Sequence, residues 1–109
     1  MTREFVMTPV FDRLWTALGL DDDKLREFQN LLLDNPFAGD IIQGTGGARK
    51  TRFVLHSKGK SGGIRVIYVD ITHRKQIYLV LCYPKSKQDD LTHEQKEQVK
   101  SFIKSLKGA

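Results

Sequence analysis

The sequence predicts a single α+β domain spanning residues 1–109, with helices packed on one face of an antiparallel sheet in the order β-α-α-β-β-β-α. Two observations carry this prediction. Apolar residues recur at helical spacing towards both ends of the chain. Between them, residues 51–83 form short runs rich in Val, Ile, Tyr, Phe and Thr, which are typical of strands. The links between these runs are shorter than the crossover of about a dozen residues that parallel neighbours need, so the strands should form an antiparallel meander.

The first half is predicted to form one short strand and two helices. Residues 3–7 read as the strand. Thr8 and Pro9 suit the N-cap and first position of a helix that ends at Gly19. A second helix begins at the aspartates of 21–23, which favour the positive end of the helix dipole, and ends before Pro36.

The second half is predicted to form three strands and one helix: Thr51–His56, Ile64–Asp70, Gln76–Tyr83 and about Leu91–Lys107. Residues 57–63 are rich in glycine and should form a hairpin loop, and residues 71–75 a tighter turn. Thr92 and Gln95 have the spacing of a capping box at the start of the last helix.

Composition narrows the class of protein. No apolar run approaches the ~18 residues that a membrane span requires, and the N-terminus does not read as a secretory signal. The single cysteine, Cys82, excludes an internal disulfide framework and is interpreted as a small core residue. These features predict a cytoplasmic protein with no membrane partner.

The charge is unevenly distributed along the chain. The net charge is +5, with a pI near 9.5. Residues 1–48 carry four basic and eight acidic side chains, whereas residues 49–90 carry ten basic and three acidic ones. Such a basic segment indicates an anionic partner that binds the second half of the chain.

Three cations stand out in the predicted strands. Lys50 and Arg52 alternate with Thr51, Phe53 and Leu55, so the two cations should share one face of the sheet while the apolar side chains face the helices. Arg65 lies among apolar neighbours in the next strand. A guanidinium there should meet an anion, lie in an open groove, or pair with Asp70 or another carboxylate.

Three other patterns in the sequence are weaker signals of function. The Gly-Lys-Ser triplet at 59–61 is not a phosphate-binding P-loop, because position 54 is Val and the segment joins two strands. The glycines of 44–47 could form an anion-binding nest or simply a tight turn. The three histidines, at 56, 73 and 93, lack metal-ligand spacing, so neither a metal site nor a cofactor is predicted.

Three segments in order resemble the RelE/HigB toxins of bacterial toxin–antitoxin modules, and the HigB-type branch in particular. They are residues 43–52 (QGTGGARKTR), 59–68 (GKSGGIRVIY) and 78–85 (YLVLCYPK). The resemblance covers about residues 3–106. It implies a compact microbial ribonuclease fold and metal-independent cleavage of mRNA in the decoding site of the ribosome.

The resemblance also implies which residues form the site. The family's cleft cations fall on Lys50, Arg52 and Arg65, and the basic residue after the third strand falls on Lys85 or, alternatively, Lys87. Many members carry a tyrosine in or before the last helix, where this chain has Leu-Thr-His at 91–93. The acid and base therefore stay open, and the candidates are Tyr83, Lys85 and His93. The further basic residues predicted to contact RNA are Arg49, Lys58, Lys60 and Lys87.

The leading hypothesis is a toxin endoribonuclease that acts on ribosomes and mRNA and is silenced by a cognate antitoxin of the helix-turn-helix, HigA-like type. Contact with DNA would then occur only through the antitoxin. The alternative is a non-catalytic RNA- or ribosome-binding module that uses the same basic face. A DNA-binding regulator is disfavoured, because the helical pair lies in the acidic part of the chain.

Overall fold

The computed structural model describes residues 2–55 and 63–108. Its elements follow the predicted order with one added strand: β1 (Glu4–Met7), α1 (Pro9–Ala17), α2 (Asp22–Asp34), β2 (Asp40–Ile41), β3 (Arg49–Phe53), β4 (Ile64–Ile71), β5 (Gln76–Pro84) and α3 (His93–Lys107). Most of the predicted hairpin loop, with Lys58 and Lys60, lies outside the described residues. Within the described ranges, no helix has both the length and the apolar character needed to cross a bilayer.

The predicted helix starts are confirmed by their caps. The Oγ1 of Thr8 accepts a hydrogen bond from the backbone N–H of Phe11, and Asp21 caps α2 through the N–H of Lys24. At α3, Thr92 and Gln95 form both hydrogen bonds of the capping box. These side chains satisfy backbone donors that a helix leaves free at its first turn.

The five strands form one sheet in the order β1-β5-β4-β3-β2. The antiparallel meander of β3, β4 and β5 is confirmed. The prediction of a wholly antiparallel sheet is corrected at one edge, because β1 lies parallel to β5. The chain between these two strands includes α1, α2 and the strands β2 to β4. The two-residue strand β2, which the sequence did not predict, pairs with Arg49 and Lys50 at the other edge.

The two N-terminal helices share one face of the sheet, as predicted, whereas α3 covers the other face, which corrects the prediction that all the helices pack on one face. The first core contains Phe11 and Trp15 of α1 and Phe28 of α2, together with Phe53 of β3. A second core joins the opposite face of the sheet to α3 through Val99, Ile103 and Leu106. The sheet is the middle layer of three, which explains why β4 and β5 are buried over nearly all of their length.

A β-bulge divides β5 into two halves of opposite alternation. Ile67 and Tyr68 of β4 pair with Leu81 and Leu79, so Val80 between them is the extra residue. Before the bulge, Ile77 and Leu79 face α1 and α2. Beyond it, Cys82 faces these helices and Tyr83 faces α3. The bulge thereby brings Tyr83 to the face of the sheet that carries the predicted cations.

Candidate active site

The three predicted cleft cations lie together on the α3 face of the sheet. Lys50 pairs across the strands with Ile67, whose side chain belongs to the α3 core, and alternation places Arg52 on the same face. Arg52 pairs directly with Arg65 of β4. Two guanidinium groups directly opposite each other repel, so this pair favours an anion that contacts both.

These cations line a cleft of about 370 Å³ at the edge of the sheet. We call it the cation cleft, and its walls are formed by Ala38, Asp40, Lys50, Thr51, Arg52, Arg65 and Asp89. The shortness of β2 creates it, because β2 pairs only with Arg49 and Lys50 and the described part of β3 beyond them opens into the cleft.

Two aspartates in the segment between β5 and α3 serve as counterions. The Nζ of Lys50 donates hydrogen bonds to the carboxylate of Asp90 and, at 3.3 Å, to the carbonyl oxygen of Asp89. Arg65 Nη2 lies 3.5 Å from Oδ1 of Asp89. Of the alternatives left open for Arg65, the carboxylate is Asp89; Asp70 instead pairs with Arg3 at 2.8 Å. Both aspartates are well exposed, so these counterions can exchange for another anion.

Arg65 is the most constrained of the three cations. Its side chain is only 16% exposed, and its Nε is buried and has no hydrogen-bond partner within residues 2–55 and 63–108. A buried donor without a partner costs free energy that a suitable acceptor would recover. Arg65 also lines the cation cleft, so the outer part of its guanidinium is available to an oxygen atom there.

Tyr83 is the cross-strand neighbour of Arg65. Its hydroxyl donates a 3.2 Å hydrogen bond to the carbonyl oxygen of Asp89. Burial, reinforced by the carboxylates of Asp90 and Asp89 and opposed by Arg65, raises the pKa of Tyr83 to about 12. The phenol is therefore neutral at physiological pH and anchors the aspartate segment.

The charges around Lys50 also act on Asp90. The hydrogen bond and the positive charge of Lys50 lower the pKa of Asp90, and Lys96 and Arg65 add to this effect. Asp90 is consequently ionised at neutral pH and competes with any other anion for Lys50.

Several predicted site residues lie elsewhere. Arg49 is on the opposite face from Lys50, where its Nη1 donates a 2.7 Å hydrogen bond to the carbonyl oxygen of Gly39 and its guanidinium stacks 5.1 Å from the ring centre of Phe37. Strand alternation separates Arg49 from Lys50, so Arg49 lies outside the cation cleft, and its role in binding RNA stays a prediction. Lys85 and Lys87 are exposed in the turn after β5, and His93 is the exposed first residue of α3.

The glycines of 44–47 form a tight turn, one of the two interpretations that the sequence left open. Gly44, Gly46 and Gly47 have positive φ angles. Inside the turn, Thr45 Oγ1 donates to the carbonyl oxygen of Ile42 and accepts from the N–H of Ala48. The turn lies against the end of α3, where Lys107 Nζ donates to the carbonyl oxygen of Gly46 at 3.0 Å.

Sequence reasoning missed three acidic residues of the site: Asp40, Asp89 and Asp90. The signal for two of them was present, because Asp89 and Asp90 are the only acidic residues between 71 and 93, directly after the cationic strands. Asp40 gave no such signal, since its position depends on β2. Among the residues that the structure describes, no group of three His, Cys, Asp or Glu side chains is placed to hold a metal ion.

Comparisons with known proteins agree with this architecture. A family model described as the RelE toxin of the RelE/RelB toxin–antitoxin system matches residues 6–109. Among solved structures, a double arginine-to-alanine mutant of the E. coli toxin RelE in its free state aligns with a TM-score of 0.59. The alignment covers 90% of this chain and 97% of that chain at 13% sequence identity. At this identity the likeness concerns the fold.

Proposed function

The chain belongs to the RelE toxin family of toxin–antitoxin systems, and from this premise we propose that it is an endoribonuclease that cleaves mRNA on the ribosome and so inhibits translation and growth. The observation that carries the proposal is the convergence of Lys50, Arg52 and Arg65 on one open cleft. Their counterions are exposed aspartates that an RNA phosphate can replace. Within the family, we further propose the HigB-type branch, on the three sequence segments described above.

The proposed reaction is attack of an RNA 2′-hydroxyl oxygen on the adjacent phosphorus. The new 2′-O–P bond forms as the bond to the 5′-oxygen breaks, which leaves a 2′,3′-cyclic phosphate and a 5′-hydroxyl. Negative charge grows on the phosphoryl oxygens in the transition state. Lys50, Arg52 and Arg65 would stabilise that charge more than the charge of the ground state, which is the requirement for catalysis. This chemistry needs no metal.

One proton leaves the 2′-hydroxyl and one must reach the 5′-oxygen. Tyr83 is buried and neutral, so we assign it the positioning of Asp89 and Arg65 and not the role of base. We propose His93 and Lys85 for the proton transfers, because both are exposed on the segments that flank Asp89 and Asp90. Imidazole is the side chain that most often performs this task.

The ribosome would supply what the cleft lacks, namely a fixed RNA geometry. The cation cleft is open, and the cations that line it would contact mainly the phosphate, so the cleft would not by itself align the 2′-oxygen with the leaving 5′-oxygen. An mRNA already held in the decoding site arrives in a restricted conformation, and such restriction lowers the entropic part of the barrier. We therefore propose that the protein acts in the cytoplasm, where ribosomes translate.

As the toxin of such a system, the chain is expected to bind a cognate antitoxin, and we propose a helix-turn-helix, HigA-like protein that alone contacts DNA. The basic cleft favours acidic segments, and exposed apolar residues such as Val10, Leu31 and Ile41 offer anchors. Calorimetry of the purified pair should give a large negative heat-capacity change at both low and raised salt. A complex that dissociates fully at moderate salt without such a change would contradict an anchored antitoxin.

The proposed activity is tested with purified components. The wild-type protein is mixed with mRNA alone and with mRNA on programmed ribosomes. The Arg65→Ala variant is mixed with the same programmed ribosomes. We expect cleavage only on ribosomes and only by the wild type. Binding without cleavage by a folded wild-type protein would instead support the non-catalytic RNA- or ribosome-binding module.

A further inference from the structure

Two depressions in the surface share the side chain of Lys50. The first is the cation cleft. The second, of about 280 Å³, lies between β2 and the start of α3, and we call it the side depression. Lys50 and Asp40 line both, so the two depressions meet at the lysine. A phosphate joins two nucleosides, and one bound at Lys50 would send one of them towards each depression.

The lining of the side depression differs from that of the cation cleft. Its apolar walls are formed by Ile41, Ile42 and Leu91, and its polar lining, besides Lys50, is formed by Asp40, Gln43, Asp90 and Lys96. Ile41 is 49% exposed although it is a large apolar residue. Apolar surface beside convergent polar groups is typical of a site for a small organic group, whereas the cation cleft, which holds three cations, suits a phosphate.

The side chain of Gln43 is available for recognition, and the backbone that carries it is held in place. Its exposed side-chain amide makes no hydrogen bond to any residue that the structure describes. The backbone on either side of it is fixed, because the N–H of Ile42 donates to the carbonyl oxygen of Ala48 at 2.9 Å and the carbonyl oxygen of Ile42 accepts from Thr45. The glycine-containing turn thus presents a free amide, with one donor and one acceptor side, at the rim.

We propose that the side depression binds one nucleobase next to the cleaved phosphate and that Gln43 reads its hydrogen-bonding edge, while Ile41 contacts its face. This inference rests on the proposed function and gives it a source of sequence preference. An amide forms paired hydrogen bonds with a base edge, and apolar or aromatic side chains support the base plane. Gln43 thus determines sequence specificity, whereas Lys50, Arg52 and Arg65 stabilise the transition state.

The test uses RNA that cannot be cleaved, so that it does not depend on activity. A set of dinucleotides with 2′-O-methyl groups is prepared in which each of the four bases occurs in turn on either side of the phosphate. Each dinucleotide is titrated into the full-length protein, and binding is followed by NMR. We expect the side-chain amide signal of Gln43 to shift and affinities to differ at least about fivefold among bases on one side, the low end of discrimination by one paired contact. Gln43→Ala should reduce this range below twofold.

Two further variants sharpen the result. Ile41→Ala should lower the affinity for all four bases to a similar degree, because it removes a contact with the face of the base and not with its edge. Gln98→Ala makes the same chemical change on the other flank of α3 and should behave as the wild type. Equal affinities for the four bases in the wild type, an unmoved Gln43 amide signal, or an unchanged ranking in Gln43→Ala would each overturn the inference. If the wild-type protein distinguished the four bases as expected but cleaved no mRNA on ribosomes, only the proposed enzyme activity would be overturned.

Discussion

The hydroxyl of Thr8 donates a 2.7 Å hydrogen bond to the carbonyl oxygen of Val80, the bulged residue of β5. The same hydroxyl accepts a hydrogen bond from the N–H of Phe11 and so caps α1. One side chain therefore fixes both the start of a helix and the bulge that turns Tyr83 towards the cations. The position of Tyr83 beside Arg65 therefore depends on Thr8, which follows β1 at the opposite edge of the sheet from the cation cleft.

Thr8→Val tests this link, because valine keeps the shape of the side chain and removes the hydroxyl. The variant loses a helix cap and leaves the carbonyl oxygen of Val80 without its partner, so we expect a loss of about 1–3 kcal/mol in the free energy of unfolding. Urea denaturation measures it. Thr16→Val, on the exposed face of α1, should change stability by less than about 0.5 kcal/mol. Equal stability of Thr8→Val and the wild type would contradict the link.

Neighbouring cations on opposite faces should have different effects. Lys50→Ala should lower the rate of ribosomal cleavage by ~10²–10³, as should Arg52→Ala and Arg65→Ala, because each removes a contact with the transition-state charge. Arg49→Ala should leave the rate near the wild-type value and lower stability instead, since Arg49 holds Gly39 and Phe37. Single-turnover rates at matched folded fractions distinguish the two. If Arg49→Ala cleaved mRNA as slowly as Lys50→Ala, the proposal that the site lies on the Lys50 face of the sheet would be wrong.

Removing the counterion of Lys50 should strengthen anion binding. Asp90→Asn deletes the carboxylate that competes for Lys50, and at surface distances such a charge is worth ~1 kcal/mol, or about fivefold in affinity. Fluorescence anisotropy with a short single-stranded RNA measures the affinity. The plot of log affinity against log salt should also steepen by about 0.7. Asp22→Asn, on the opposite face of the sheet, serves as the control; equal gains from both variants would indicate net charge alone.

The buried phenol of Tyr83 should make stability fall at high pH. Its pKa is raised from 10.0 to about 12, so the folded state holds this proton more tightly than the unfolded state. The resulting stability is fully present below pH 10 and is lost as the pH rises through 12. Urea denaturation at pH 9 and pH 11 should show a smaller loss in Tyr83→Phe than in the wild type. Equal losses in the two proteins would contradict the assignment.

Local signals made most of the fold predictable. The helices begin at caps that involve only near neighbours, such as Thr8 with Phe11 and Thr92 with Gln95, so the sequence contains the whole signal. Two-residue β2 could not be predicted, because it exists only through pairing with β3. The placement of α3 on the opposite face also depends on tertiary packing, since an apolar stripe does not specify which side of a sheet it covers.

The site was predictable only in part, for reasons of alternation. Strict alternation along β5 from Ile77 would place Tyr83 beneath α1 and α2, and the bulge at Val80 reverses that outcome. No local pattern marks the bulge. By contrast, the alternation that unites Lys50 with Arg52 already places Arg49 on the other face, so the separation of Arg49 from Lys50 could be predicted from the sequence. The catalytic and RNA-binding roles of the predicted residues stay predictions.

The central claim, cleavage of mRNA during translation, is tested most directly by mapping RNA 5′ ends in cells after brief induction of the protein. A reporter transcript is compared with the same transcript carrying a mutated start codon, with Arg65→Ala as the inactive control. We predict new 5′ ends within the reading frame of the translated transcript and none above background in the untranslated one or with Arg65→Ala. Equal cleavage of the two transcripts, or no cleavage by a folded wild-type protein that still arrests growth, would contradict the account.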